Sequence, residues 1–158
     1  MNDFDFFVGT WDVSNRWLAD FLDADSGWEV FPAVSRATRH FDGAASFDEI
    51  EFPTKGFAGL TLRLYEPEHE RWTLHWAGRR TGTLFPPVTG RFDPATGTGV
   101  FEGEDTYEGK AVLVRFVWSR TDTDSPRWEQ FFSADGAGSW IHNWTMDFSR
   151  RAADTAAA

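Results

Sequence analysis

The sequence predicts an all-β protein: a single antiparallel up-and-down β-barrel of about ten strands with a short N-terminal helical cap. Three observations carry this reading. Apolar and polar residues alternate with a period of two over most of the chain, which marks strands with one buried face. Turn chemistry recurs at regular intervals and joins the runs by short links, which suit antiparallel neighbours. No stretch has the 3.6-residue apolar period that crossover helices need.

In chain order, residues 2–8 are read as a helical turn that plugs one barrel end. Strand runs follow at 9–19, 28–41, 46–53, 57–66, 71–78, 87–93, 98–105, 110–120, 126–133 and 138–149. Their limits come from Asp42-Gly43, Pro53 to Gly56, Glu66-Pro67, Asp93-Pro94 with Gly97, Glu108-Gly109, Asp124 to Pro126 and Asp135-Gly136. Each supplies the fixed φ of Pro or the positive φ that Gly permits. Residues 1–150 make one domain, and 151–158 read as a disordered tail.

Alternation then assigns faces. Trp11 and Val13 point inward on the first run, as do Leu60, Leu62 and Leu64 on 57–66, with Thr61, Arg63 and Tyr65 outward. Trp72, Leu74 and Trp76 point inward on 71–78, with His75 outward. Val112, Val114, Phe116 and Trp118 follow, then Trp128, Gln130 and Phe132. The last run places Trp140, His142, Trp144, Met146 and Phe148 inside. Run 28–41 is ambiguous: Arg36, Thr38 and His40 share one face, Ser35, Ala37 and Arg39 the other, and a single bulge swaps them. Asp48 and Glu49 lie on opposite faces and cannot act as a carboxylate pair, while Glu49 and Glu51 share a face and read as solvated.

The totals exclude several function classes. The net charge of −10 argues against nucleic acid or an anionic membrane surface as partner, since both need a basic face. There is no cysteine, so no disulfide, thiol nucleophile or Cys-based metal site. No apolar run has the length of a membrane-spanning helix, and the start Met-Asn-Asp-Phe-Asp lacks the pattern of a signal peptide, so a cytoplasmic location is expected. No Gly-x-Ser-x-Gly elbow marks a nucleophile, and Gly97-Thr98-Gly99 has no following helix or Lys to cradle phosphate. The four histidines, His40, His69, His75 and His142, show no metal spacing, and no metal is expected.

Gly9-Thr10-Trp11 on the first strand resembles the Gly-x-Trp opening of lipocalins and the wider calycin group. More closely, the chain resembles a family of uncharacterised bacterial lipocalin-like proteins. The resemblance runs over nearly all of residues 4–150. It is carried by the opening from Phe4 to Val13, Phe47-Asp48-Glu49, Leu62-Arg63-Leu64-Tyr65 with Trp72 to Trp76, and Pro86-Pro87-Val88 with Gly90. Gly103 to Thr106, Arg127 to Gln130, Phe132 to Gly136 and Asn143 to Phe148 complete it. It implies a calycin-type barrel whose Trp11 closes one end under an Arg from the last strand, Arg150 or Arg151. It implies no settled activity. His75 and His142 are outside the shared pattern and are either specialisations of this chain or neutral variation.

The aromatic interior suggests a cavity for a small hydrophobic or aromatic molecule, unless the indoles simply fill the barrel. Trp76, Trp118, Trp128, Trp140 and Trp144 would form its walls, and Gln130 would bond a ligand or another barrel group. Arg36 and His40 would anchor an acidic group if their face is the inner one. His142 carries the chemical alternatives. Buried among indoles it would be neutral and could serve as general base in a small isomerase, cyclase or hydratase. It could also ligate haem iron, or be a core His bonded to a neighbour such as Gln130. Outer apolar residues such as Leu113, Val117, Phe131 and Ile141 hint at a homodimer.

Overall fold

The computed structural model describes residues 1–152. The tail expected over 151–158 lies, from residue 153 on, outside the described residues. Strands β1 (Gly9–Leu18), β2 (Trp28–His40), β3 (Ala45–Phe52), β4 (Phe57–Glu66) and β5 (Arg71–Gly78) run as an antiparallel meander. A two-residue strand β6 (Thr83–Leu84) pairs with the end of β5 outside the barrel. The meander resumes with β7 (Val88–Phe92), β8 (Gly99–Tyr107), β9 (Lys110–Ser119), β10 (Arg127–Ser133) and β11 (Ile141–Arg150). Pairing of β1 with β11 closes a barrel of 10 strands, so no inter-strand edge is left open between first and last strand. Where a helical cap is expected at the N-terminus, the chain makes a single 3-10 turn, Asp5–Phe7. It tucks Phe4 and Phe7 into one end of the barrel.

Trp11 is fully buried at that end and donates its indole Nε1–H to Phe7 O at 2.8 Å. The Arg150 guanidinium lies 4.1 Å over the Trp11 ring. It also donates to Val8 O at 2.8 Å and to Phe6 O at 2.7 Å. One cation thus satisfies the carbonyls of the plugging turn and caps the indole, which fixes the closed end.

Two faces differ from the alternation reading, and a third that it left ambiguous is resolved. On β4, Leu60 and Leu62 point outward, 39% and 38% exposed, while Arg63 is buried at 4%. Antiparallel partners share a face, and β3 presents Ser46, Asp48, Ile50 and Phe52 to the interior opposite Arg63, Thr61, Gly59 and Phe57. Gly59 is the physical reason for this register. The Trp76 indole occupies the space over it, so that a Cβ there would stand 1.9 Å from the Trp76 ring. On β2 the ambiguity resolves with Phe31, Ala33, Ser35 and Ala37 inside. Arg36 and His40 are therefore on the outer face, exposed, and not in the barrel.

The second difference is on β11. Gln130 pairs with Trp144 and Phe131 with His142, which leaves Asn143 as one extra residue in a β-bulge. The bulge sends both Asn143 and Trp144 inward and reverses the parity of everything before it. His142 and Trp140 therefore lie on the outer face.

Candidate ligand cavity

The interior between the plugged end and the opposite mouth is not filled. Its deep part, about 90 Å³, has walls of Trp76, Phe116, Trp118, Trp128 and Trp144 with Ile50, Leu74, Met146 and Phe148. The outer part, about 180 Å³, shares Leu74, Trp76, Phe116, Gln130 and Trp144 with it, so the two adjoin across these side chains. The indoles brace one another by edges and faces. Trp128 meets Trp144 at 5.3 Å and 86°, Phe116 meets Trp128 at 4.9 Å and 67°, and Trp118 stacks on Phe148 at 5.4 Å. Trp144 Nε1–H donates to Asn15 Oδ1 at 3.0 Å, so its ring orientation is fixed.

Polar groups occur at two levels. At the floor, buried Arg63 and Asp48 line the cavity, with Arg63 Nη2 2.6 Å from Asp48 Oδ1. Ser35 Oγ donates to Asp48 Oδ2 at 3.1 Å, and Arg63 Nη1 donates to Ser46 Oγ at 3.3 Å. The guanidinium also lies 5.1 Å from the ring centres of Phe4 and Phe7, which ties the floor to the plug. Higher up, Gln130 Nε2 donates to Asn143 Oδ1 at 3.0 Å, and Asn143 Nδ2 donates to Phe21 O at 3.3 Å.

The mouth is partly covered by the β1–β2 loop. Its Phe21 stacks on Tyr107 at 5.6 Å and 12°. Tyr107 Oη accepts from Phe21 N at 3.2 Å and donates to Asp20 Oδ1 at 3.3 Å. Burial, with Asp20 and Glu108 nearby, pushes the Tyr107 phenol up from its usual range, so it stays protonated and can hold this bond. Phe85, Pro86, Glu104, Asp105 and Thr106 complete the outer walls, giving the mouth an acidic margin.

Of the residues singled out in the sequence, Trp76, Trp118, Trp128, Gln130 and Trp144 converge on this cavity. Arg36, His40, Trp140 and His142 do not. Trp140 lies under the Arg115 guanidinium at 4.0 Å on the outer face. His142 stacks on Phe131 at 4.8 Å, with Nε2 2.8 Å from Thr145 Oγ1 and 3.3 Å from Glu129 Oε2. Burial lowers its pKa, opposed by Glu129 and reinforced by Arg16. General-base chemistry or haem ligation inside the barrel therefore loses its residue, because the bulge turns the imidazole away.

The sequence reading missed Arg63, Asp48, Asn15, Asn143 and Tyr107. For Asp48 a signal was present, since it shares parity with Ile50 and Phe52. For Asn143 there was none, because a bulge leaves no mark in an alternating run. Among the described residues, no helix is long and apolar enough to cross a membrane. No protein-family model matches the chain, and no curated protein matches it.

Proposed function

We propose that the barrel binds a small, flat, largely apolar molecule in the cavity between Trp76, Trp118, Trp128 and Trp144. The supporting observation is the unfilled, aromatic-walled space inside a closed barrel, reached through a mouth at Phe85, Pro86 and Tyr107. Aromatic side chains braced by their neighbours offer apolar area already ordered before binding, which lowers the entropic cost of holding a flat ligand. Gln130 stands at the junction of the deep and outer parts and orients what binds there. The lipocalin-like opening Gly9-Thr10-Trp11, with Arg150 over the indole, supports a calycin-type binding protein.

Calorimetric titration with 2-methylnaphthalene tests this reading. Saturable one-to-one binding is expected. Thr61 lines the deep part, so Thr61→Phe would fill it and weaken binding at least about tenfold while leaving the fold intact. Equal affinity of parent and filled variant would place the binding elsewhere and overturn the reading.

A further inference from the structure

Among the described residues, the Arg63–Asp48 pair is the only charged part of the deep cavity wall, and its hydrogen bonds are incomplete. Asp48 Oδ1 is close to the guanidinium, yet no N–H or O–H is aligned on it, and Arg63 Nε–H has no acceptor. Buried groups in this condition are costly and uncommon. The unmatched donor and the unmatched acceptor belong to one ion pair, on residues 4% and 3% exposed.

From this arrangement, and resting on the proposed function above, we infer the ligand class: an uncharged aromatic alcohol or phenol that enters hydroxyl first and is held at the floor by Arg63 and Asp48. A hydroxyl is the smallest headgroup that both accepts and donates, which is what the two unmatched atoms require. Charge excludes the usual alternative of a carboxylate bound by an arginine. Asp48 already neutralises Arg63, so an anionic headgroup would bring a second negative charge against a buried carboxylate. Glu104 and Asp105 at the mouth, within a chain of net charge −10, repel anions along the access route. A cationic headgroup would pass the mouth but meet Arg63 at the floor. The aromatic body would then lie against Trp118, Trp128 and Trp144.

The test compares three probes of one shape by calorimetry at pH 7: 2-naphthol, un-ionised at that pH, 2-methylnaphthalene and 2-naphthoate. The expected order is 2-naphthol tightest by about tenfold over 2-methylnaphthalene, with 2-naphthoate weakest. Equal affinity of 2-naphthol and 2-methylnaphthalene would overturn the inference and leave the apolar cavity standing. Tighter binding of 2-naphthoate would overturn it in favour of an anion site. Failure of all three to bind would overturn both this inference and the proposed function.

Arg63→Met alone would leave Asp48 buried without its ion-pair partner and threaten folding. The double variant Asp48→Leu with Arg63→Met removes both charges at similar volume. It is expected to bind 2-naphthol and 2-methylnaphthalene with equal affinity, without the roughly tenfold advantage of 2-naphthol. Retention of that advantage in the folded double variant would show that the floor pair does not read the hydroxyl.

Discussion

His142 illustrates how a side chain's chemistry follows from what touches it rather than from its type. Its ring is half-buried between Phe131 and Trp28, and that burial favours the neutral form. Glu129 at 3.3 Å pulls the other way, and Arg16 adds to the lowering. The folded-state pKa is therefore below the ordinary imidazole value of about 6.5, so the unfolded chain binds more protons across the interval between the two. Stability from this site is complete above the unfolded value and is lost as pH falls toward the folded one. The wild type should lose more stability than His142→Gln between about pH 7.5 and about pH 5.5, read by urea unfolding. An NMR titration of the ring should give a pKa below the ordinary value, and a lower one still in Glu129→Gln. A rise in that variant would show that Glu129 does not face the ring as an anion.

At the scale of elements, the barrel's strands and turns were legible because period-two alternation and Pro/Gly punctuation are local signals. The ten strand runs match the observed ring, and only the two-residue β6 was missed. The faces were less legible wherever a neighbouring strand decides them. On β4, three leucines outweigh Thr61, Arg63 and Tyr65 by hydropathy, but pairing with β3 and the Trp76 ring over Gly59 set the opposite parity. On β11, one extra residue separates the correct inward Trp144 from the misplaced His142. The same bulge residue links two elements: Asn143 is fully buried, accepts from Gln130 and donates to Phe21 O of the mouth loop. Asn143→Ala should cost about 1–3 kcal/mol in urea unfolding, because it strips partners from a buried amide and a carbonyl. It should also speed amide exchange in the β1–β2 loop. A loss within about 0.5 kcal/mol, the range of ordinary surface changes, would show that the bulge does not anchor the mouth.

On the scale of the whole molecule, the two ends of the barrel have opposite designs. The end plugged by Phe4, Phe7 and Trp11 is sealed by Arg150 outside and crossed by Arg63 inside, so cations stack against both sides of one aromatic layer. The other end carries a loop held by a few hydrogen bonds, an acidic margin, and Phe85 at 37% exposure. A rigid closed end and a lightly held mouth suit a container loaded from one side. The interior aromatic character of that container was visible from the tryptophan parity, whereas the charged floor was not, since Arg63 was assigned to the outer face. The most direct test of the container is the crystal structure of the protein soaked with 2-iodonaphthalene, with the iodine located by its anomalous signal. The account predicts a single strong site inside the barrel, with the rings between Trp128, Trp144 and Trp76. Iodine found only on the outer surface, with the cavity unoccupied by the probe, would contradict it.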